Sequence, residues 1–190
     1  MLRRVFLSTL CFLLVVGCSS TPPKNRNDIC SIFEQKRGWH DDAREASERW
    51  GTPVPVMMAI LKHESSFRAD AKPPRKKYLG FIPGARASSA YGYPQALDGT
   101  WDSYKRDTGH RWADRDDFDD AIDFVGWYTS VSSRKLGISK SSAYHQYLAY
   151  HEGQGGYAKG TYKRKRWLMK YAKQVEKTSN RYAVQLQRCG

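Results

Sequence analysis

Long apolar stretches are nearly absent from this 190-residue chain. Outside Val5–Val16 no segment is long and apolar enough to span a bilayer, for which a helix needs ~20 residues. Cysteine is scarce, four residues in all. The five histidines form no ligand pattern with them, and His63-Glu64 is not followed by a His at the spacing of a zinc helix. A structural zinc site is therefore not expected, nor is a metal or organic cofactor. No Gly-x-Ser-x-Gly elbow occurs, which argues against a serine hydrolase of that design. The glycine cluster Gly153-Gln154-Gly155-Gly156 lacks the Lys-Ser/Thr ending of a phosphate loop and reads as a helix stop. Acidic residues are outnumbered, 19 against 32 Lys and Arg, for a formal charge of +13. What is plentiful is aromatic: 13% of residues, within an apolar share of 40%. That content excludes a disordered polyelectrolyte, and the length favours a single folded domain.

The N-terminus has its own character. Met1–Arg4 is short and cationic, and the twelve mostly apolar residues Val5–Val16 suit the core of a signal peptide. The run ends Val15-Val16-Gly17-Cys18, which resembles the bacterial lipobox. That resemblance implies removal of residues 1–17 and acylation of Cys18. Several acyl chains on one residue make a lasting anchor. With Ser19 where an Asp would resemble an inner-membrane retention signal, it also implies the periplasmic face of an outer membrane. Residues 18–27 then form a flexible, lipid-bearing tether, the domain spans 28–190, and the mature chain from Cys18 carries a charge of +11 once Arg3 and Arg4 are gone. Cys11 leaves with the leader and Cys18 takes lipid. Cys30 and Cys189 remain, either as two free thiols or, in an oxidising compartment, as a disulfide.

Periodicity marks six helices: Asp41–Trp50, Pro53–Ser65, Gly99–Thr108, Asp117–Leu136, Ser141–Glu152 and about Tyr162–Leu186. With no clear strand alternation, the class is mainly α. Thr52 is a candidate cap for the second helix, with Pro53 at its first position. That helix continues Val56-Met57-Met58-Ala59-Ile60-Leu61, apolar nearly all round and so buried. Its last turn delivers Glu64. Between Ala69 and Thr100 lies a proline- and glycine-rich stretch too long for an idle connection. Lys72–Lys77 within it is basic, whereas Ser88–Leu97 is aromatic and small.

Four ordered segments carry chemistry. The first is Ile60-Leu61-Lys62-His63-Glu64-Ser65-Ser66-Phe67. The second is Tyr91-Gly92-Tyr93-Pro94-Gln95 with Gly99-Thr100-Trp101 after it, and the third is Ala149-Tyr150-His151-Glu152-Gly153. The fourth surrounds Tyr171 in Trp167–Val175. Together they resemble the soluble lytic transglycosylase family, lysozyme-like enzymes that cut the glycan strand of peptidoglycan. Pro94, His151 and Glu152 depart from the family's Gly-x-x-Gln and Ala-Tyr-Asn-Ala-Gly patterns.

The resemblance implies a lysozyme-like single domain of goose-type or transglycosylase architecture, with Glu64 as the one catalytic acid and base. It implies cleavage between N-acetylmuramic acid and N-acetylglucosamine, leaving 1,6-anhydro ends. Ser65, Tyr91, Gln95, Tyr150 and Tyr171 would contact substrate or support Glu64, with Gln95 and Tyr150 donating to the acetamido group or to Glu64 and Ser65 holding the carboxylate. Protonation of Glu64 near neutral pH requires desolvation, which the Met57–Leu61 run offers. A water-using goose-type lysozyme remains an alternative, its base drawn from Asp70, Asp98, Glu152 or the aspartates of 114–120. A wall-binding lipoprotein that grips glycan without cutting is another. The cationic, aromatic segment Lys159–Trp167 would suit nucleic acid in a cytosolic protein. Behind a leader and lipid anchor, the expected partners are instead peptidoglycan strands and the membrane, or the segment is simply a solvated helix face. The oligomeric state is left open.

Overall fold

The computed structural model describes residues 21–78 and 81–189; the expected leader and Cys18 lie outside the described residues. Among these, seven α-helices form a mainly α-helical single domain: α1 (Ile29–Gln35), α2 (Trp39–Trp50), α3 (Val54–Ser65), α4 (Asp98–Thr108), α5 (Phe118–Leu136), α6 (Ala143–Ala158) and α7 (Arg166–Leu186). None is long and apolar enough to cross a membrane. The short first helix escaped the periodicity reading; it forms because the Asp28 side chain accepts from the Cys30 and Ser31 amides.

At α3, Pro53 is itself the cap residue. Thr52, the expected cap, is fully buried and shares a 2.8 Å hydrogen bond with Thr129 on α5. The apolar run does what its composition requires: Val56 through Leu61 are all buried. Around α3 pack α5, buried at Phe118 and from Ala121 to Ser132, and α7, which contributes Leu168, Ala172 and Val175. Asp123 on α5 is buried as well, accepting from Trp50 Nε1 at 2.7 Å and the Tyr104 hydroxyl at 2.8 Å. Those charge-assisted bonds make the carboxylate tolerable there.

The stretch after Ala69 contains an antiparallel hairpin, β1 (Arg75–Tyr78) and β2 (Ile82–Arg86), pairing Arg75 with Arg86. Strands of four and five residues with a register irregularity leave no alternation to read. The stop expected at the Gly153 cluster is present as a break within α6: Gly153 is non-helical (φ 72°, ψ 157°), and a second helical stretch follows it to Ala158. That backbone is open only to glycine without strain.

The segment expected as a tether is engaged at its domain end. Lys62 Nζ donates to Asn27 Oδ1 at 2.7 Å, Gln185 Nε2 donates to the Asn27 carbonyl at 3.1 Å, and the Tyr182 hydroxyl donates to the Arg26 carbonyl. A disulfide joins Cys30 on α1 to Cys189 just past α7, across 159 positions (Cα–Cα 5.8 Å).

Candidate active site

The α3 helix ends in Glu64-Ser65, and the next two residues, Ser66 (φ 54°) and Phe67 (φ 58°), are both left-handed. They turn the chain sharply and bury Phe67 against Trp39. Glu64 is half-buried: dense packing surrounds its carboxyl, while part of the residue stays open. Burial pushes the carboxyl up to about 7, against a hydrogen bond from the Tyr147 hydroxyl that pulls the other way. Tyr147, Tyr150 and Tyr171 are all held above the ordinary phenol range, first by burial and then by the charge of Glu64. Glu64 therefore faces three phenols that keep their protons. The preceding His63 is pushed down to about 4 by burial and by Lys62 and Arg181, and shares a 2.9 Å hydrogen bond with Thr178.

Beside this carboxyl opens a cavity of about 210 Å³, lined among others by Gln95, Thr100, Phe124, Tyr150, His151 and Glu152. Glu64 lies next to the lining rather than in it, and Tyr150 belongs to both. A larger hollow of about 440 Å³ at α4 contains one carboxylate, Asp102, which is exposed and 4.0 Å from Lys105.

The loop 91–96 closes one side of the cavity. Gly92 (φ 74°) is required, because a Cβ there would overlap the Arg115 carbonyl. Its amide donates to the Ala71 carbonyl at 3.0 Å, and Tyr91 bridges to Ala96. Gln95 (φ 50°) gives both bonds of its Nε2 to backbone, reaching Ala71 O at 2.8 Å and Gly92 O at 2.9 Å. Pro94 fits this loop, since only its carbonyl is used: it accepts from the Tyr150 hydroxyl at 2.6 Å.

The expected site residues thus meet only in part. Gln95 and Tyr150 line one cavity beside Glu64, yet their donors serve backbone carbonyls, and it is Tyr147 that holds the carboxyl. Ser65 is buried with Oγ on the Leu61 carbonyl at 3.3 Å, not on Glu64. Tyr171 donates to the His63 carbonyl at 3.1 Å and so braces the end of α3 from α7. Tyr91 points outward to Asp116 at 2.6 Å, with Lys72 Nζ 4.7 Å from its ring centre. Tyr147 was not singled out from the sequence, although it sits three residues before Tyr150 on α6, a spacing that places both on one helix face.

Of the carboxylates considered as a second acid or base, Asp70 is exposed and paired with Arg68 at 3.5 Å. Asp98 pairs with Arg115 at 2.8 Å, Asp117 caps α5, and Asp120 accepts from the Asp114 amide at 2.8 Å. Glu152 alone reaches the cavity. Its side chain is 3% exposed and accepts from Lys165 Nζ at 2.7 Å, from Thr161, and from His151 Nδ1 at 3.3 Å. Burial by itself would raise its proton affinity, but these bonds outweigh it and hold the carboxyl below its usual range.

A family model described as Transglycosylase SLT domain matches residues 6–189 of the chain. No curated protein and no solved structure matches.

Proposed function

Because the chain belongs to the transglycosylase SLT domain family, we propose that it is a peptidoglycan lytic transglycosylase acting on the β-1,4 bond between N-acetylmuramic acid and N-acetylglucosamine. The observation that carries this reading is Glu64, a carboxyl raised to about 7 by burial beside a cavity of sugar-ring size. A group poised near the working pH can give a proton and take one back.

Glu64 in its acid form donates to the bridging O4 as the C1–O4 bond breaks. The resulting carboxylate then removes the proton from the C6 hydroxyl of the muramic residue, and that oxygen bonds to C1. One bond is lost and one gained, no water is consumed, and Glu64 ends protonated. Tyr147 steadies the carboxylate between the two transfers. Gln95, its Nε2 fixed to two carbonyls, turns its oxygen to the acetamido N–H, and Tyr150 forms the wall behind the sugar. Ser65, Tyr91 and Tyr171 act as positioning residues at the end of α3 and the corner of the loop.

We assign Met1–Gly17 as a leader, Cys18 as the lipid acceptor and residues 28–190 as the catalytic unit, held at the periplasmic face of an outer membrane. Purified sacculi test the enzyme: the parent chain releases muropeptides, and Glu64→Gln binds sacculi without release. Release by Glu64→Gln, or none by either protein with binding intact, overturns the reading, the latter in favour of a wall-binding lipoprotein.

Glu152 favours one rival, hydrolysis by a goose-type lysozyme. It is a carboxylate held below its usual range in the cavity beside a raised Glu64, and two carboxyls with separated proton affinities are what an acid and base pair needs. Its oxygens are already committed to Lys165, His151 and Thr161, which leaves little capacity to activate water. Glu152→Gln separates the two: release persists for a transglycosylase and stops for a hydrolase that uses this base.

A further inference from the structure

The seam between α6 and α7 carries an aromatic track that starts at Glu64 and leaves the cavity. On α6, Tyr147 and His151 are four residues apart, and on α7 so are Trp167 and Tyr171, so each pair lies along one helix face. Across the seam Tyr147 meets Tyr171 at 5.6 Å between ring centres, and His151 meets Trp167 at 5.3 Å. Along α6 the step from Tyr147 to His151 is 6.4 Å.

Exposure rises along this track. Tyr147, whose hydroxyl holds Glu64, is 4% exposed, and Trp167 at its far end is 59% exposed. His151 is the joint, lining the cavity on one side and touching the indole on the other. Single exposed apolar side chains are ordinary. Trp167 differs in standing at the rim of the cavity, in ring contact with its wall.

We propose that Trp167 is a sugar-stacking platform, a binding subsite for a pyranose ring of the glycan strand beyond the cavity, with His151 linking the two. This rests on the reading of the cavity as a glycan cleft. A β-linked pyranose of this kind carries its substituents equatorially and presents axial C–H groups on each face. The indole presents the negative face of its quadrupole, and stacking them removes two apolar surfaces from water. The first turn of α7 fixes the platform, because Leu168, the next residue, is fully buried in the core.

The test is titration calorimetry of the Glu64→Gln chain, which consumes nothing, with the dimer and the hexamer of β-1,4-linked N-acetylglucosamine. Trp167→Ala, Trp167→Phe and, as a control indole on another loop, Trp112→Ala are added to it. The platform predicts that Trp167→Ala weakens hexamer binding about tenfold, the loss of one stacked ring, and leaves dimer binding unchanged. Trp167→Phe retains most of the hexamer affinity, and Trp112→Ala all of it. Hexamer binding unaffected by Trp167→Ala overturns the platform and leaves the cleft standing. Equal losses for dimer and hexamer also overturn it, since Trp167 would then act on the cavity itself. If the Glu64→Gln chain binds neither oligomer, platform and glycan cleft fall together.

Discussion

Replacing Glu64 by Gln perturbs stability with a pH dependence that follows from its burial. The folded chain holds this carboxyl at about 7, against 4.5 for an ordinary glutamate. Below 4.5 both states are protonated and no penalty arises. Between 4.5 and about 7 the unfolded chain gives up the proton and the folded chain does not, so stability falls as pH rises through that window. At roughly 1.4 kcal/mol per pH unit the full penalty is about 3 kcal/mol. This is an upper figure, because part of the residue remains open to water. Glu64→Gln keeps the shape and an acceptor for Tyr147 but cannot ionise. It is expected to match the parent at pH 4 and to exceed it by up to about 3 kcal/mol at pH 8, or roughly 6–12 °C in Tm for a domain of this size. Guanidinium unfolding at the two pH values, with the disulfide intact, measures the difference. Other groups, such as Asp42, raised to about 6 by burial and by Asp119 and Asp117, contribute equally to both proteins and cancel. Parallel pH profiles for the two chains would refute the claim that Glu64 is desolvated.

The same carboxyl sets the activity profile: muropeptide release should decline above pH about 7 as the acid form is lost, read as initial rates on sacculi. Tyr147→Phe removes the bond that lowers the Glu64 pKa, so the alkaline limb should move to higher pH while kcat falls on the order of tenfold; an unmoved limb counts against the Tyr147 contact. Gly92→Ala meets the Arg115 carbonyl at a left-handed position and should destabilise by more than about 1 kcal/mol with loss of release, checked by thermal unfolding. Reduction of Cys30–Cys189, or the double Ser variant, frees a span of 159 positions and should cost about 5 kcal/mol on the chain-entropy account, seen as a drop in the denaturant midpoint.

Much of this architecture is written in local pattern. The α3 helix is legible because Val56–Leu61 has no polar side, so only a buried helix accommodates it, and Glu64 then has to arrive at its end. Gly92 and Gln95 are legible as a pair only through the resemblance to the Gly-x-x-Gln pattern; the bond from Gln95 Nε2 back to the Gly92 carbonyl is visible in the fold alone. What was not legible depends on partners distant in sequence. Tyr147 matters through the approach of α6 to the end of α3, and nothing within Tyr144–Tyr150 distinguishes it from a core tyrosine. Thr52 has the chemistry of a cap, yet Thr129 outcompetes the helix end for its hydroxyl. Ser65 likewise turns to its own helix. The hairpin at Arg75–Arg86 has strands of only four and five residues with a register irregularity, too short for periodicity to detect. At Gly153 the local reading is correct, because the glycine-only backbone there separates two helical stretches.

The central claim is that Glu64 closes the muramic C6 oxygen onto C1 without water. Digestion of sacculi in water labelled with heavy oxygen, followed by mass spectrometry of the released muropeptides, tests it directly. Anhydro-muramic ends carrying no label, and absent with Glu64→Gln, are the predicted result; reducing muramic ends with heavy oxygen at C1 would contradict it.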